Sequence, residues 1–125
     1  MAFHHTNLKE YLLSKQIDTV IVVGMMIHNC NNATTYSSTD EGFKSIVVAV
    51  AVNTMDQQIF GEMIPAETIW KSFLAGIAFA YASTFFLLGL LHIQRPLFLQ
   101  KNFVYVLDNH FLPVAGTYDV VWMFG

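Results

Sequence analysis

VVGMMIHNCNNATTYSSTDEGF, residues 22–43, decides the reading of this chain: within it an apolar run gives way to a polar run of helical composition, and the only cysteine, Cys30, stands at the change. The apolar run is β-branched from residue 19 to residue 23 and stops at Gly24, a pattern that predicts a strand buried on both faces, as in parallel sheets. Beyond the cysteine, residues 31–41 set Ala33, Thr34 and Tyr36 among polar neighbours and predict a helix. Gly42 is placed to end it in the left-handed conformation that glycine adopts at least cost. SIVVAVAV, within residues 44–52, predicts a second buried strand. Upstream, Leu8, Tyr11 and Leu12 form one apolar stripe over residues 7–16, a helix with Thr6 as its candidate N-cap. Downstream, Pro65 opens a third predicted helix that continues to about residue 82. Helix, strand, helix, strand is the rhythm of an α/β fold with parallel strands joined by helical crossovers.

Composition narrows the function classes. A chain of 125 residues makes one domain with a core. With a net charge of −3 and 12% charged residues it has no basic surface for nucleic acid. A single cysteine precludes an internal disulfide, and residues 1–10 are polar and His-containing rather than basic and then apolar, so a cytoplasmic location is expected. His4 and His5 are adjacent and no carboxylate motif accompanies them, so no metal site and no cofactor are expected. Met25, Met26, Met55 and Met63 read as packing residues, and Asp40 and Glu41 as a solvated helix end.

From residue 2 to residue 83 the sequence resembles the C-terminal half of the isochorismatase-like cysteine hydrolases, which include nicotinamidases and N-carbamoylsarcosine amidases. In that family a phrase like SAF..T.L...L...GIDT leads into a strand, then G-x-M-T-H-x-C-V-x-A-T-x-R, a helix ending in Gly-aromatic, and a further strand. This chain reads AFHHTNLKEYLLSKQIDTVIVVG, then MMIHNCNNATTYSSTDEGF, then VVAVAVNTMD. The resemblance implies an incomplete three-layer α/β/α fold with parallel strands, the partial domain covering residues 1–83. It implies Cys30 as the catalytic nucleophile, attacking a carbonyl carbon of a small-molecule substrate. It also implies an oxyanion hole from the backbone N–H groups of Met26 and Cys30, and a cis peptide bond between Met25 and Met26. Elementary physics agrees with the placement, since the amino end of a helix favours developing negative charge and points backbone N–H groups at it. His28 is a further candidate, either orienting a substrate carboxylate or accepting a surface hydrogen bond.

The family pairs its cysteine with an Asp at the end of the first strand and a Lys further on, and both motifs precede the phrase with which this chain starts. Lys9 and Lys15 belong to the first helix and Lys44 follows Gly42, so none matches the family Lys. The family Thr falls at Ile27, its Arg at Tyr36, the Asp of its last strand motif at Val50 and a His of its last helix at Trp70. The resemblance therefore implies a truncated hydrolase domain, inactive alone, whose ancestral activity is Cys-dependent hydrolysis of an amide or enol ether. The edge of the cysteine strand is expected to stand unpaired. An alternative is a half-enzyme completed by a separately encoded N-terminal half or within a homo-oligomer.

Residues 84–125 match nothing in the family and read as an unrelated hydrophobic tail. Residues 72–94 carry no formal charge, lie between Lys71 and Arg95, and are long enough for a transmembrane or buried helix. A single-pass membrane protein without enzymatic function is the second alternative.

Overall fold

The computed structural model describes residues 2–85 and the backbone of three later strands, at residues 103–107, 112–113 and 120–122. Its elements run α1 (Leu8–Ser14), β1 (Thr19–Met25), a π-helical turn (Ile27–Asn31), α2 (Asn32–Asp40), β2 (Lys44–Asn53), β3 (Gln57–Ile59), β4 (Glu62–Ile64), α3 (Ala66–Ala80), β5 (Ser83–Phe85), β6 (Phe103–Leu107), β7 (Leu112–Pro113) and β8 (Val120–Trp122). Six strands form one sheet in the order β5-β2-β1-β6-β8-β7, and β3 and β4 form a separate hairpin. Every pairing in the larger sheet is parallel except β7 with β8.

Residues 19–23 form a two-faced strand, as their apolar run predicts. Val20 and Val22 face the main core with Leu8, Leu12, Ile17, Ile27, Val47, Ala49, Leu74 and Ile77, while Ile21 packs with Val48 on the opposite face. Each fully buried Leu, Ile or Val contributes about 1.5–3 kcal/mol relative to exposure, so this cluster is the main source of stability among the described residues.

α1 and α2 end in the same way with different residues. After α2, Gly42 (φ +90°) donates its N–H to Thr39 O at 3.0 Å and Phe43 donates to Ser38 O at 2.9 Å, the paired bonds of a Schellman motif. After α1, Gln16 (φ +57°) donates to Leu13 O and Ile17 to Leu12 O, both at 3.0 Å. A Cβ at Gly42 would meet nothing within 4 Å, so backbone strain alone sets the cost of adding one. Gly42→Ala is expected to destabilise by about 1 kcal/mol and Gln16→Gly to stabilise by about 0.5–1 kcal/mol, read from urea midpoints at constant slope. Thr6 acts one residue ahead of the observed N-cap, Asn7, its Oγ1 accepting from Leu8 N at 3.4 Å and donating to Ala2 O at 2.6 Å.

α2 is packed by hydroxyls rather than by an apolar stripe. Thr34, Thr35 and Ser38 are its buried residues. Thr35 Oγ1 donates to Asn31 O at 2.7 Å, Ser38 Oγ bonds Ser45 Oγ of β2, and Thr39 Oγ1 reaches Ser45 Oγ at 3.1 Å and Tyr81 O at 3.0 Å. Small side chains bring the helix close to the sheet, and their mutual bonds remove the penalty of burying them.

Two expectations about the chain after residue 72 are corrected. A continuous helix over residues 72–94 is not formed: α3 stops at Ala80, where Tyr81 N and Ala82 N both bond Ile77 O, and residues 83–85 pair with Ile46, Val47 and Val48 as strand β5. Thr39 fixes this exit through its bond to Tyr81 O. Residues 86–94 of that segment lie outside the described residues, and among the described residues no helix is long and apolar enough to cross a membrane. Nor is the second edge of β1 unpaired, because β6 pairs with it from Thr19↔Phe103 to Val23↔Leu107. The β-branched and aromatic run FVYVL suits that position. All three described helices that pack on the sheet do so on the face of Val20 and Val47, so the layer that would complete a three-layer arrangement is not among the described residues.

Candidate active site

β1 carries the chain to the carboxyl edge of the parallel strands, where α/β sheets bind their ligands. Gly24 (φ +113°) lies at a break in register: Val22 pairs with Val47, but Gly24 pairs with Val52, so β2 inserts a bulge here. Trp70 of α3 stabilises the bulge from behind, its indole Nε1 donating to Ala49 O at 3.2 Å and to Val52 O at 3.1 Å. Val50, in the bulge, is half-exposed. Trp70 thus shapes the strand end next to the cysteine.

The peptide bond between Met25 and Met26 is cis. Met26 is extended (φ −115°, ψ 141°) and caps the π-helical turn, its carbonyl accepting from Asn29 N at 3.0 Å and Asn31 N at 3.4 Å. The helical path therefore starts at Ile27, four residues before the expected start, and Cys30 sits inside the first turn rather than ahead of it. Ile27, completely buried, anchors the turn in the core, and Asn31 is buried on the far side of Cys30. Cys30 itself is half-buried. His28, two residues before it, bonds Thr54 Oγ1 through Nδ1 at 2.5 Å and meets the Phe73 ring edge-on at 6.2 Å between centroids. Thr54, Asn31 and Phe73 carry no motif in the sequence and become visible only when the strand ends converge.

The described lysines lie elsewhere. Lys9 pairs with Glu41, whose hydrogen bond raises the Lys9 ammonium above its ordinary pKa. Lys71 pairs with Glu67 at 2.5 Å and holds that carboxyl below the usual carboxylate range. Lys15 lies over the Tyr11 ring. Lys44 starts β2 level with Thr19, six residues from Met25, which at strand rise is about 20 Å from the cysteine end. Asp56, three residues past the end of β2, is used at the start of α3, accepting Ala66 N at 2.8 Å. His4 and His5 stack at 4.0 Å, and no cluster of metal-ligating side chains occurs among the described residues.

Comparison with known proteins places this sheet and its helices in a family. The family model described as Isochorismatase domain covers residues 1–63. An uncharacterized isochorismatase family protein of Bacillus subtilis, YddQ, is 33% identical over 82 residues, which are 66% of this chain and 46% of that protein. An isochorismatase from Pseudomonas putida superposes with a TM-score of 0.64 at 30% identity, covering 66% of this chain and 43% of its own. A cysteine hydrolase from Pseudomonas syringae pv. phaseolicola superposes with a TM-score of 0.63 at 25% identity, covering 66% and 39%. The chain thus spans about half the length of the curated relative it matches. With a domain match over half its length and a superposable fold over two thirds of it, the chain belongs to the isochorismatase family.

Proposed function

We propose that this chain is a cysteine hydrolase domain in which Cys30 attacks the carbonyl carbon of a small-molecule amide. The sulfur–carbon bond forms as the carbonyl becomes an oxyanion. The carbon–nitrogen bond then breaks, the amine leaves with a proton, and water hydrolyses the resulting thioester to release the acid and restore the thiol. The backbone N–H groups of Met26 and Cys30 are the proposed oxyanion donors. His28 is assigned to the turn rather than to the substrate, since its Nδ1 bonds Thr54 and its ring meets Phe73. The observation that carries the reading is the position of Cys30 in the capped turn at the carboxyl end of central strand β1. The same reading assigns the chain slow turnover by itself, since Lys9 and Lys71 pair with glutamates, Lys15 lies over Tyr11 and Lys44 starts β2 at its far end, and general acid–base help is worth about 10²–10⁴ in rate.

Release of p-nitrophenolate from p-nitrophenyl acetate tests the reading. A single stoichiometric burst with little further release supports it. No burst above that of Cys30→Ala contradicts it.

A further inference from the structure

The π-helical turn that carries Cys30 is capped by Met26 O, whose five-residue bond to Asn31 N is long, at 3.4 Å, and it runs directly into α2. Two attachments outside its backbone tie it to the rest of the fold. One is Ile27, which reaches the core as a non-directional apolar anchor. The other is directional: His28 Nδ1 with Thr54 Oγ1 at 2.5 Å. Thr54 is nearly buried at 7% exposure and is the first residue after β2, with its own N–H bonded to Asn53 Oδ1 at 2.8 Å. Behind it, α3 holds the same region through Trp70 on Val52 O and through Phe73 against the His28 ring. Ile27 fixes the depth of the turn, and the hydrogen bond of His28, two residues from the cysteine, adds a directional tie to the end of β2.

We infer that His28 and Thr54 are positioning residues that set the orientation of the Cys30 turn relative to the carboxyl end of β2, and so control how fast Cys30 is acylated. The inference rests on Cys30 being the nucleophile. It gives His28 a role in the protein rather than on the substrate. Small displacements of a reacting group cost rate steeply, of the order of 100-fold per ångström, so loss of one directional attachment is expected to slow acylation about tenfold.

The test measures the rate at which p-nitrophenyl acetate acetylates Cys30 in the full chain, by intact-protein mass, for wild type, Thr54→Val, Thr54→Ser and His28→Phe. Thr54→Val removes the hydroxyl at constant shape, Thr54→Ser keeps it, and His28→Phe keeps ring packing on Phe73 while removing Nδ1. The expected result is about tenfold slower acetylation in Thr54→Val and His28→Phe, with Thr54→Ser within about twofold of wild type. Wild-type rates in both Thr54→Val and His28→Phe overturn the inference, as does a Thr54→Ser variant as slow as Thr54→Val. If Thr54→Val fails to fold, the His28→Phe rate decides alone. Failure of the underlying reading is separate: wild-type protein itself is then acetylated no faster than Cys30→Ala.

Discussion

Cys30→Ala is expected to remove the p-nitrophenolate burst completely, and Cys30→Ser to reduce it by at least about 10³-fold. Cys30 is the only cysteine, so no second thiol masks the loss. The serine variant keeps the shape of the turn and any backbone donation from Met26, but a hydroxyl without an adjacent general base is a poor nucleophile. The two variants together separate the contribution of sulfur from that of the surrounding backbone, whose oxyanion stabilisation is worth about 10²–10³ in other acyl-transfer sites. Stopped-flow absorbance at matched protein concentration reads both, and a melting curve for each variant checks that the fold survives. Because Cys30 is half-buried and outside the main core, its truncation is expected to leave stability within about 1 kcal/mol of wild type.

The second large effect is on stability. Ile27→Ala is expected to cost about 3 kcal/mol, within the range of about 2–5 kcal/mol for emptying a buried Ile site. Ile27 is fully buried and begins the cysteine turn, so the vacated space lies between β1 and the helices with little freedom to collapse. For a chain of this size the cost corresponds to a fall in melting temperature of about 10 °C. Ile27→Val is expected to cost about 1 kcal/mol, and Ile27→Thr more than Ile27→Val despite equal shape, because its hydroxyl enters an apolar cluster. A melting-temperature loss for Ile27→Thr no larger than for Ile27→Val would show that a polar partner is available beside the turn.

Much of the fold was legible in the residues because the decisive signals are local. The β-branched run at residues 19–23 has no alternation to suggest an exposed face, and β1 is buried on both sides. Gly42 sits where the helix needs a positive φ, and the chain takes that conformation there. Pro65 stands immediately before α3, which begins at Ala66. What the residues did not disclose depends on partners distant in sequence. The buried face of α2 is made of Thr34, Thr35 and Ser38, and hydroxyls show no apolar period for a pattern to detect. The end of α3 at Ala80 meets Thr39, 42 residues from Tyr81, across the fold. The pairing of β6 with β1 has no local signature at all, since FVYVL predicts a strand but not its neighbour.

The candidate site divides in the same way. Cys30 and Met26 are readable from one short motif, because a nucleophile on a strand-to-helix turn needs its residues close together in the chain. Thr54, Phe73 and Trp70 act on that turn from β2 and α3. Their types, one hydroxyl and two aromatics, are those of ordinary packing residues, and only the folded arrangement distinguishes them. Gln16, which ends α1 at a positive φ without glycine's freedom, is legible only once Ile17 is seen donating to Leu12.

The most direct measurement of the central claim is to quench the full chain with acid during reaction with p-nitrophenyl acetate, digest it, and map the acetyl group by tandem mass spectrometry. Acetylation concentrated on Cys30, formed faster than on the lysines and absent from that peptide in Cys30→Ala, is the predicted result. Acetyl groups spread over Lys9, Lys15, Lys44 and Lys71 with Cys30 unmodified would contradict it.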